Sequence, residues 1–231
     1  MNNLGLSIAI EGLDGSGKYT LTKNLQKKFE DLGVKTELIS FPRHTEESSG
    51  FLVDEFLYNG LKFNDDDYKA VREGMLYAID RMVCLGRIRE NGESLLDKYN
   101  NDTLLIFDRY LSSNFIHRCN YMDEDELKIY ISRMKYIEFN VLGLPKPDIT
   151  LVLLVKPEIS YQNILKRGRQ MDENETLENL QKAYNKLEYL CELEGYIAID
   201  CCRLNEEGKY EMLSREEILE KAWKALEIPE M

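Results

Sequence analysis

Short apolar runs bounded by turn residues alternate along this chain with longer stretches whose apolar side chains recur at helical spacing, the pattern of βα units that build a mostly parallel sheet. Ser7–Ile10, Thr36–Phe41, Thr103–Phe107, Ile149–Val155 and Tyr196–Ile199 read as five strands. After the first, Leu21, Leu25, Phe29 and Leu32 repeat with helical period and stop at Gly33, a natural left-handed cap. A long helix is expected from about Tyr68 to Asn91, with Val71, Met75, Ile79, Met82 and Leu85 along one stripe and Gly92 ending it. Gly74 and Gly86 fall inside that stretch and each costs about 1 kcal/mol against alanine, so tertiary packing must favour the helix. Further helices are expected to start at Pro157, suited to a first helical turn, and at Ser214, which fits a capping box with Glu217.

The 231 residues, 43% of them hydrophobic, are enough for a substantial core. No Pro/Gly/Ser-rich linker or internal repeat divides them, so one domain over residues 1–231 is expected. No apolar run approaches the roughly 20 residues needed to span a bilayer, and the N-terminus lacks a basic-then-apolar start, which predicts a cytoplasmic protein with no membrane partner. Thirty Lys and Arg against 42 Asp and Glu give a net charge of −12, which disfavours nucleic acid but allows a small phosphorylated ligand in an arginine-lined pocket. Cys84, Cys119, Cys191, Cys201 and Cys202 contain no C-x-x-C pair and His44 and His117 stand far apart, so no zinc site is readable and free thiols are expected. The acidic runs Asp65–Asp67 and Asp123–Glu126 read as solvated loops or helix starts.

Gly12–Leu13–Asp14–Gly15–Ser16–Gly17–Lys18 has the G-x-x-x-x-G-K spacing and stands directly between the first strand and the first helix. Glycines there let backbone N–H groups converge on phosphate oxygens, the helix N-terminus adds a favourable dipole, and Lys18 brings a mobile positive charge. The next position usually carries a Ser or Thr hydroxyl for Mg²⁺; here it is Tyr19, with Thr20 about 100° farther round the helix. Mg²⁺ is therefore expected to rest chiefly on ATP phosphates and water, with Asp108 turned towards it, directly or through water. Leu104–Phe107 leading into Asp108–Arg109–Tyr110 is an apolar strand ending in such an acid, although an Asp108–Arg109 ion pair would give the same string. Tyr77 and Arg81, four apart, share a helix face where a ring can stack on a base and a guanidinium can meet its edge; a surface cation–π pair is the alternative.

Together, Glu11–Lys18, Phe41–Pro42–Arg43, Leu76–Arg81, Asp108–Tyr110 with Ser113–Asn114, and Leu144–Pro145–Lys146–Pro147–Asp148 resemble in content and order the motifs of thymidylate kinases, from about residue 6 to 200. The resemblance implies an α/β P-loop fold with a five-stranded parallel sheet between helices, a homodimer, and transfer of the ATP γ-phosphoryl group to dTMP. It further implies that Gly12, Asp14, Gly15, Ser16, Gly17, Lys18, Tyr19 and Thr20 surround ATP, and that Arg43 and Arg109 grip the dTMP phosphate, with Phe41 and Pro42 shaping the loop of Arg43. Asp14 would meet the sugar 3′-hydroxyl region, Tyr77 would stack on thymine, Arg81 and Asn114 would meet its polar edge, and Ser113 would belong to the same substrate site. His117 would exclude a ribose 2′-hydroxyl. Lys166–Arg167–Gly168–Arg169 with Asp172 and Glu175 resembles the lid, a segment of about residues 166–178, whose Arg167 and Arg169 would stabilise the transferring phosphoryl group in place of a loop arginine. Leu154 and Val155 stand where an acid is common in the family.

The acceptor phosphate is already largely ionised near neutral pH, so catalysis by Lys18, Asp108, Arg109, Arg167, Arg169 and Mg²⁺ needs no strong general base. Rival readings are a kinase of another pyrimidine or deoxynucleoside monophosphate, and a nucleotide-binding homologue without turnover because of Tyr19. A G-protein switch is disfavoured, since no N-K-x-D signature is present beyond the near miss Asn185–Lys186–Leu187–Glu188.

Overall fold

Strand β1 (Ser7–Gly12) is buried along its whole length at the centre of a five-stranded parallel sheet. The computed structural model describes residues 6–44, 49–64, 68–87, 92–100, 103–118, 122–168 and 175–226. The other strands are β2 (Thr36–Ser40), β3 (Leu104–Asp108), β4 (Ile149–Leu154) and β5 (Ile197–Asp200), in the order β2-β3-β1-β4-β5. Each lies within two residues of its expected position. Both faces of the sheet are covered, which is why the strands read as continuous apolar runs rather than alternating ones. Ile8, Ile10, Leu104, Ile106, Leu151 and Leu153 point to one side, where α1 (Lys18–Asp31) and α9 (Arg215–Ala225) pack with Leu21, Leu25, Phe29, Ile218 and Ala222. Ala9, Leu105, Phe107 and Val152 point to the other, against α3 (Lys69–Gly86), α5 (Leu111–Arg118), α6 (Glu124–Lys135) and α8 (Leu177–Glu194). The expected α/β class with helices on both faces is therefore the fold observed.

Local chemistry explains the ends of these elements. Gly33 N–H bonds to Glu30 O and Val34 N–H to Phe29 O, the paired contacts that stop α1 at the expected glycine. α7 (Pro157–Lys166) opens on its proline, and Ser214 and Glu217 form the anticipated capping box of α9. A second capping box, Asp123 with Glu126, makes the acidic run Asp123–Glu126 a helix start; Asp65–Asp67 lies outside the described residues. Helix α3 is shorter than expected, ending at Gly86 where Arg87 turns extended. Gly74 is tolerated within it because a side chain there would meet the Tyr130 hydroxyl at 2.7 Å and Met134 at 3.0 Å, so its absence lets α6 approach α3.

The sequence pattern did not announce α2 (Gly50–Leu57), α4 (Leu95–Asn100), the π-helical turn Tyr136–Val141 that continues α6, or the hairpin of β6 (Cys202–Leu204) with β7 (Tyr210–Met212). Trp223 packs on Phe29 with ring centroids 5.0 Å apart, fastening α9 to α1. Cys84, Cys191, Cys201 and Cys202 are buried free thiols, while Cys119 is not among the described residues. No helix of the described residues is long and apolar enough to cross a membrane.

Candidate active site

The sheet brings the carboxyl ends of three strands level: Ile10 and Ser40 both pair in register with Asp108. In open α/β sheets a ligand crevice forms outside such ends, where the chain switches direction across the sheet. The loop after β1 and the turn after β3 therefore face one another, and all the sequence-predicted phosphate-handling residues except those of the lid and Arg43 come from these two segments.

Residues 12–18 wrap closely between β1 and α1. Gly15 has φ +79°, and a Cβ there would sit 2.3 Å from the carbonyl oxygen of Ser160 on α7. Only glycine fits both the backbone and the approach. Asn163, one turn on, donates from Nδ2 to Gly15 O at 3.0 Å, so α7 holds the loop from behind. Lys18 is buried, with Nζ donating to Gly12 O at 3.0 Å and Leu13 O at 2.7 Å. Desolvation, then the neighbouring Arg109, pushes its ammonium down to about 8 against the pull of Asp14, Asp108 and Glu11. Tyr19 points away and is half exposed, its ring lying beneath Lys23 Nζ, while Thr20 is partly buried.

Glu11, the last acid of β1, is fully buried and accepts from Tyr110 N at 2.8 Å, Ser113 N at 3.0 Å and Ser113 Oγ at 2.6 Å. It thereby caps α5 from a distant strand, its charge set against the positive end of that helix. Burial pushes the Glu11 carboxyl up despite those bonds. Between strand and helix, Arg109 takes left-handed backbone with φ 67°, a strained geometry for a non-glycine residue of the kind that clusters at functional sites. Its guanidinium reaches back to Asp14 Oδ1 and lies 3.4 Å from His117 Nε2. Burial alone would raise the Asp14 carboxyl, but Arg109, Lys18 and His117 more than offset it and hold the group well below the usual carboxylate range. The same pairing, with Asp108 and Glu11 adding to it, keeps Arg109 firmly charged against desolvation.

On the other side of the crevice the Phe41–Pro42 peptide is cis, Phe41 is buried against Phe107 and Tyr110, and Arg43 is fastened to α3. Arg43 N–H donates to Asp80 Oδ2 at 2.8 Å and its Nη1 lies 3.0 Å from Cys84 Sγ. Buried Ser113 and Asn114 face inward from α5, and Asn114 Nδ2 is 3.5 Å from Gly74 O, one turn before Tyr77 on α3. Tyr77 is partly buried.

Arg81 differs from the sequence-based picture of an accessible guanidinium or a surface cation–π pair with Tyr77. It is only 1% exposed, Glu138 takes its Nε at 2.8 Å and its Nη2 at 2.5 Å, and the ring it lies over is that of Tyr110. A charge on the core side of α3 requires such a partner. Of the lid arginines, Arg167 is exposed at the C-terminal end of α7, and Arg169 lies outside the described residues.

Among the described residues, the buried oxygens without hydrogen-bond partners include Asp108 Oδ1 and Ser16 Oγ, while Asp108 Oδ2 accepts from Ser40 Oγ at 3.3 Å. A carboxylate and a hydroxyl left unsatisfied beside a phosphate loop suit a hard cation such as Mg²⁺. Sequence reasoning assigned no role to Glu11, Ser40, Asp80, Glu138 or Asn163. Glu11 and Asp80 stand inside the motifs and could have been suspected as acids in apolar surroundings; the other three carry no local signal.

This arrangement is that of a P-loop nucleoside monophosphate kinase, with the phosphate loop and a separate arginine-bearing wall across one crevice. A family model described as thymidylate kinase matches residues 10–212. The chain is 30% identical over 176 residues, 76% of this chain and 77% of the relative, to "Thymidylate kinase" of Mycobacterium tuberculosis (strain CDC 1551 / Oshkosh). It is 26% identical to "Probable thymidylate kinase" of Archaeoglobus fulgidus, covering 89% of this chain and 91% of that one, and 26% identical to "Thymidylate kinase" of Leptospira interrogans serogroup Icterohaemorrhagiae serovar copenhageni, covering 80% and 83%. The chain belongs to the thymidylate kinase family, whose activity is ATP-dependent phosphorylation of dTMP.

Proposed function

We propose that this protein transfers the γ-phosphoryl group of ATP to dTMP, giving ADP and dTDP, as a single-domain cytoplasmic homodimer. The observation that carries this reading is the contact of Arg109 with Asp14, which sets the acceptor arginine against the middle of the phosphate loop. Residues 12–18 cradle the ATP phosphates with Lys18, and Tyr19 and Thr20 border them. Arg43 and Arg109 draw in the dTMP phosphate from the opposite wall, bringing two anions in line and neutralising their repulsion.

Tyr77 supports the base, Asn114 and the Arg81 donors that Glu138 leaves unused meet its polar edge, and Ser113 steadies the start of α5, which carries Asn114. Asp14 and His117 flank the sugar, Asp14 towards the 3′-hydroxyl and His117 against a 2′-hydroxyl. Asp108 and Ser16 would hold Mg²⁺, which when bound draws charge from the phosphate oxygens. The acceptor's second pKa of about 6 leaves it ionised near neutral pH, so no side chain need remove a proton. The lid of residues 166–178 closes over ATP to exclude water, with Arg167 and Arg169 placed against the transferring group.

Turnover measured with ATP and Mg²⁺ against dTMP, dUMP, UMP and dGMP tests the proposal. It expects dTMP to be the best acceptor; comparable rates with another monophosphate would reassign the substrate.

A further inference from the structure

We infer that Glu138 is a positioning residue for selection of the acceptor base: by holding Arg81 in one orientation it fixes which guanidinium nitrogen is left to meet that base. This rests on the dTMP kinase reading above and deepens it.

Glu138 is entirely buried, and its two oxygens take Nε and Nη2 of Arg81 in a fork-to-fork pair. The Tyr110 ring covers one face of the guanidinium at 5.5 Å, and Tyr110 is itself fixed by its hydroxyl donating to Pro145 O at 3.0 Å. Pairing and stacking thus occupy an edge and a face, and Nη1 is the nitrogen that Glu138 does not use. Glu138 reaches this place from the π-helical turn Tyr136–Val141, where Leu142 N–H bonds to Ile137 O and Leu144 N–H to Glu138 O, both at 2.9 Å. Such turns inside α-helices recur at functional sites, because the wider turn redirects the side chains it carries.

Stability alone is a poor reason for this pair, since apolar residues of similar volume often replace buried ion pairs without loss. Directionality is a better one. A guanidinium only donates, so an immobilised Nη1 favours the carbonyl at position 4 of thymine and is mismatched to the amino group at the same position of cytosine. With its charge balanced by Glu138, Arg81 reads that hydrogen-bond pattern rather than attracting any anion.

The test compares wild type with E138D, which keeps the charge but withdraws the carboxylate by one methylene, and E138Q, which keeps the length but removes the charge. Each is assayed with dTMP and dCMP, alongside the KM for ATP and the melting temperature. Expected in both variants is a rise of about tenfold in KM for dTMP and a narrowing of dTMP-over-dCMP preference by a similar factor. The KM for ATP should stay within about twofold. A lowered melting temperature with base preference unchanged, or equal rises in both KM values, would overturn the inference while leaving the dTMP kinase reading intact. If E138Q fails to fold, E138D decides alone. Absence of dTMP turnover in wild type would remove the proposed function and this inference with it.

Discussion

The guanidinium of Arg109 closes onto the carboxylate of Asp14, joining the turn after β3 to the middle of the phosphate loop. Each holds the other ionised within a largely buried setting. If Arg109 receives the dTMP phosphate as proposed, that phosphate competes with Asp14 for it, and the two substrate subsites share one electrostatic junction.

Replacing Arg109 should separate the functions of those subsites. R109A is expected to lower kcat/KM for dTMP about a thousandfold. ATP affinity by calorimetry should change by less than about threefold, because the backbone N–H groups of the loop and the Lys18 ammonium that meet the ATP phosphates are retained. Equal losses for both nucleotides would contradict the assignment of Arg109 to the acceptor.

Lys18 makes the binding of ATP sensitive to alkali. Desolvation and Arg109 hold its ammonium at about 8, below its ordinary value of 10.5. Between those two values the unfolded chain binds a proton that the folded chain does not, so this group adds stability as pH rises through that window. ATP binding runs the opposite way, since the phosphates need the ammonium. Affinity for ATP should be flat below pH 8 and fall above it, by up to about tenfold per unit. In K18M the alkaline fall should vanish and overall affinity should be weaker; a wild-type profile flat to pH 10 would refute this role.

Gly15 offers a purely steric probe. G15A places a methyl group against Ser160 O and demands left-handed backbone of an alanine. The backbone alone costs about 1–2 kcal/mol. Thermal unfolding should show a lower midpoint, and ATP binding should weaken beyond what that destabilisation explains, because the loop must move off α7.

Tyr19 stands where a metal-binding hydroxyl is usual, yet it is half exposed and turned under Lys23. Y19S should lower the Mg²⁺ concentration for half-maximal turnover while leaving metal-free ATP affinity unaltered. An unchanged Mg²⁺ dependence would show that Tyr19 does not limit the metal site.

What could be read along the chain was what is contiguous in it. The five strands, the phosphate loop, the Asp108–Arg109–Tyr110 turn and the caps at Pro157 and Ser214 each depend on neighbours a few residues apart. The supports of the site do not: Glu11 reaches Ser113 across 102 positions, Asn163 reaches Gly15 across 148, and Glu138 reaches Arg81 across 57. No spacing rule anticipates such pairs, which is why Arg81 was expected to be accessible. The β6–β7 hairpin escaped because its strands are too short to show alternation, although Asn205 and Gly208, whose contacts close the turn, were a readable sign.

Following the terminal phosphoryl group of ATP decides whether this chain is a dTMP kinase. With γ-labelled ATP, Mg²⁺ and dTMP, the label should appear in the β-phosphate of dTDP at a rate matching ADP release. Label that stays on ATP, or emerges only as inorganic phosphate whatever monophosphate is supplied, would exclude phosphoryl transfer to a nucleotide acceptor.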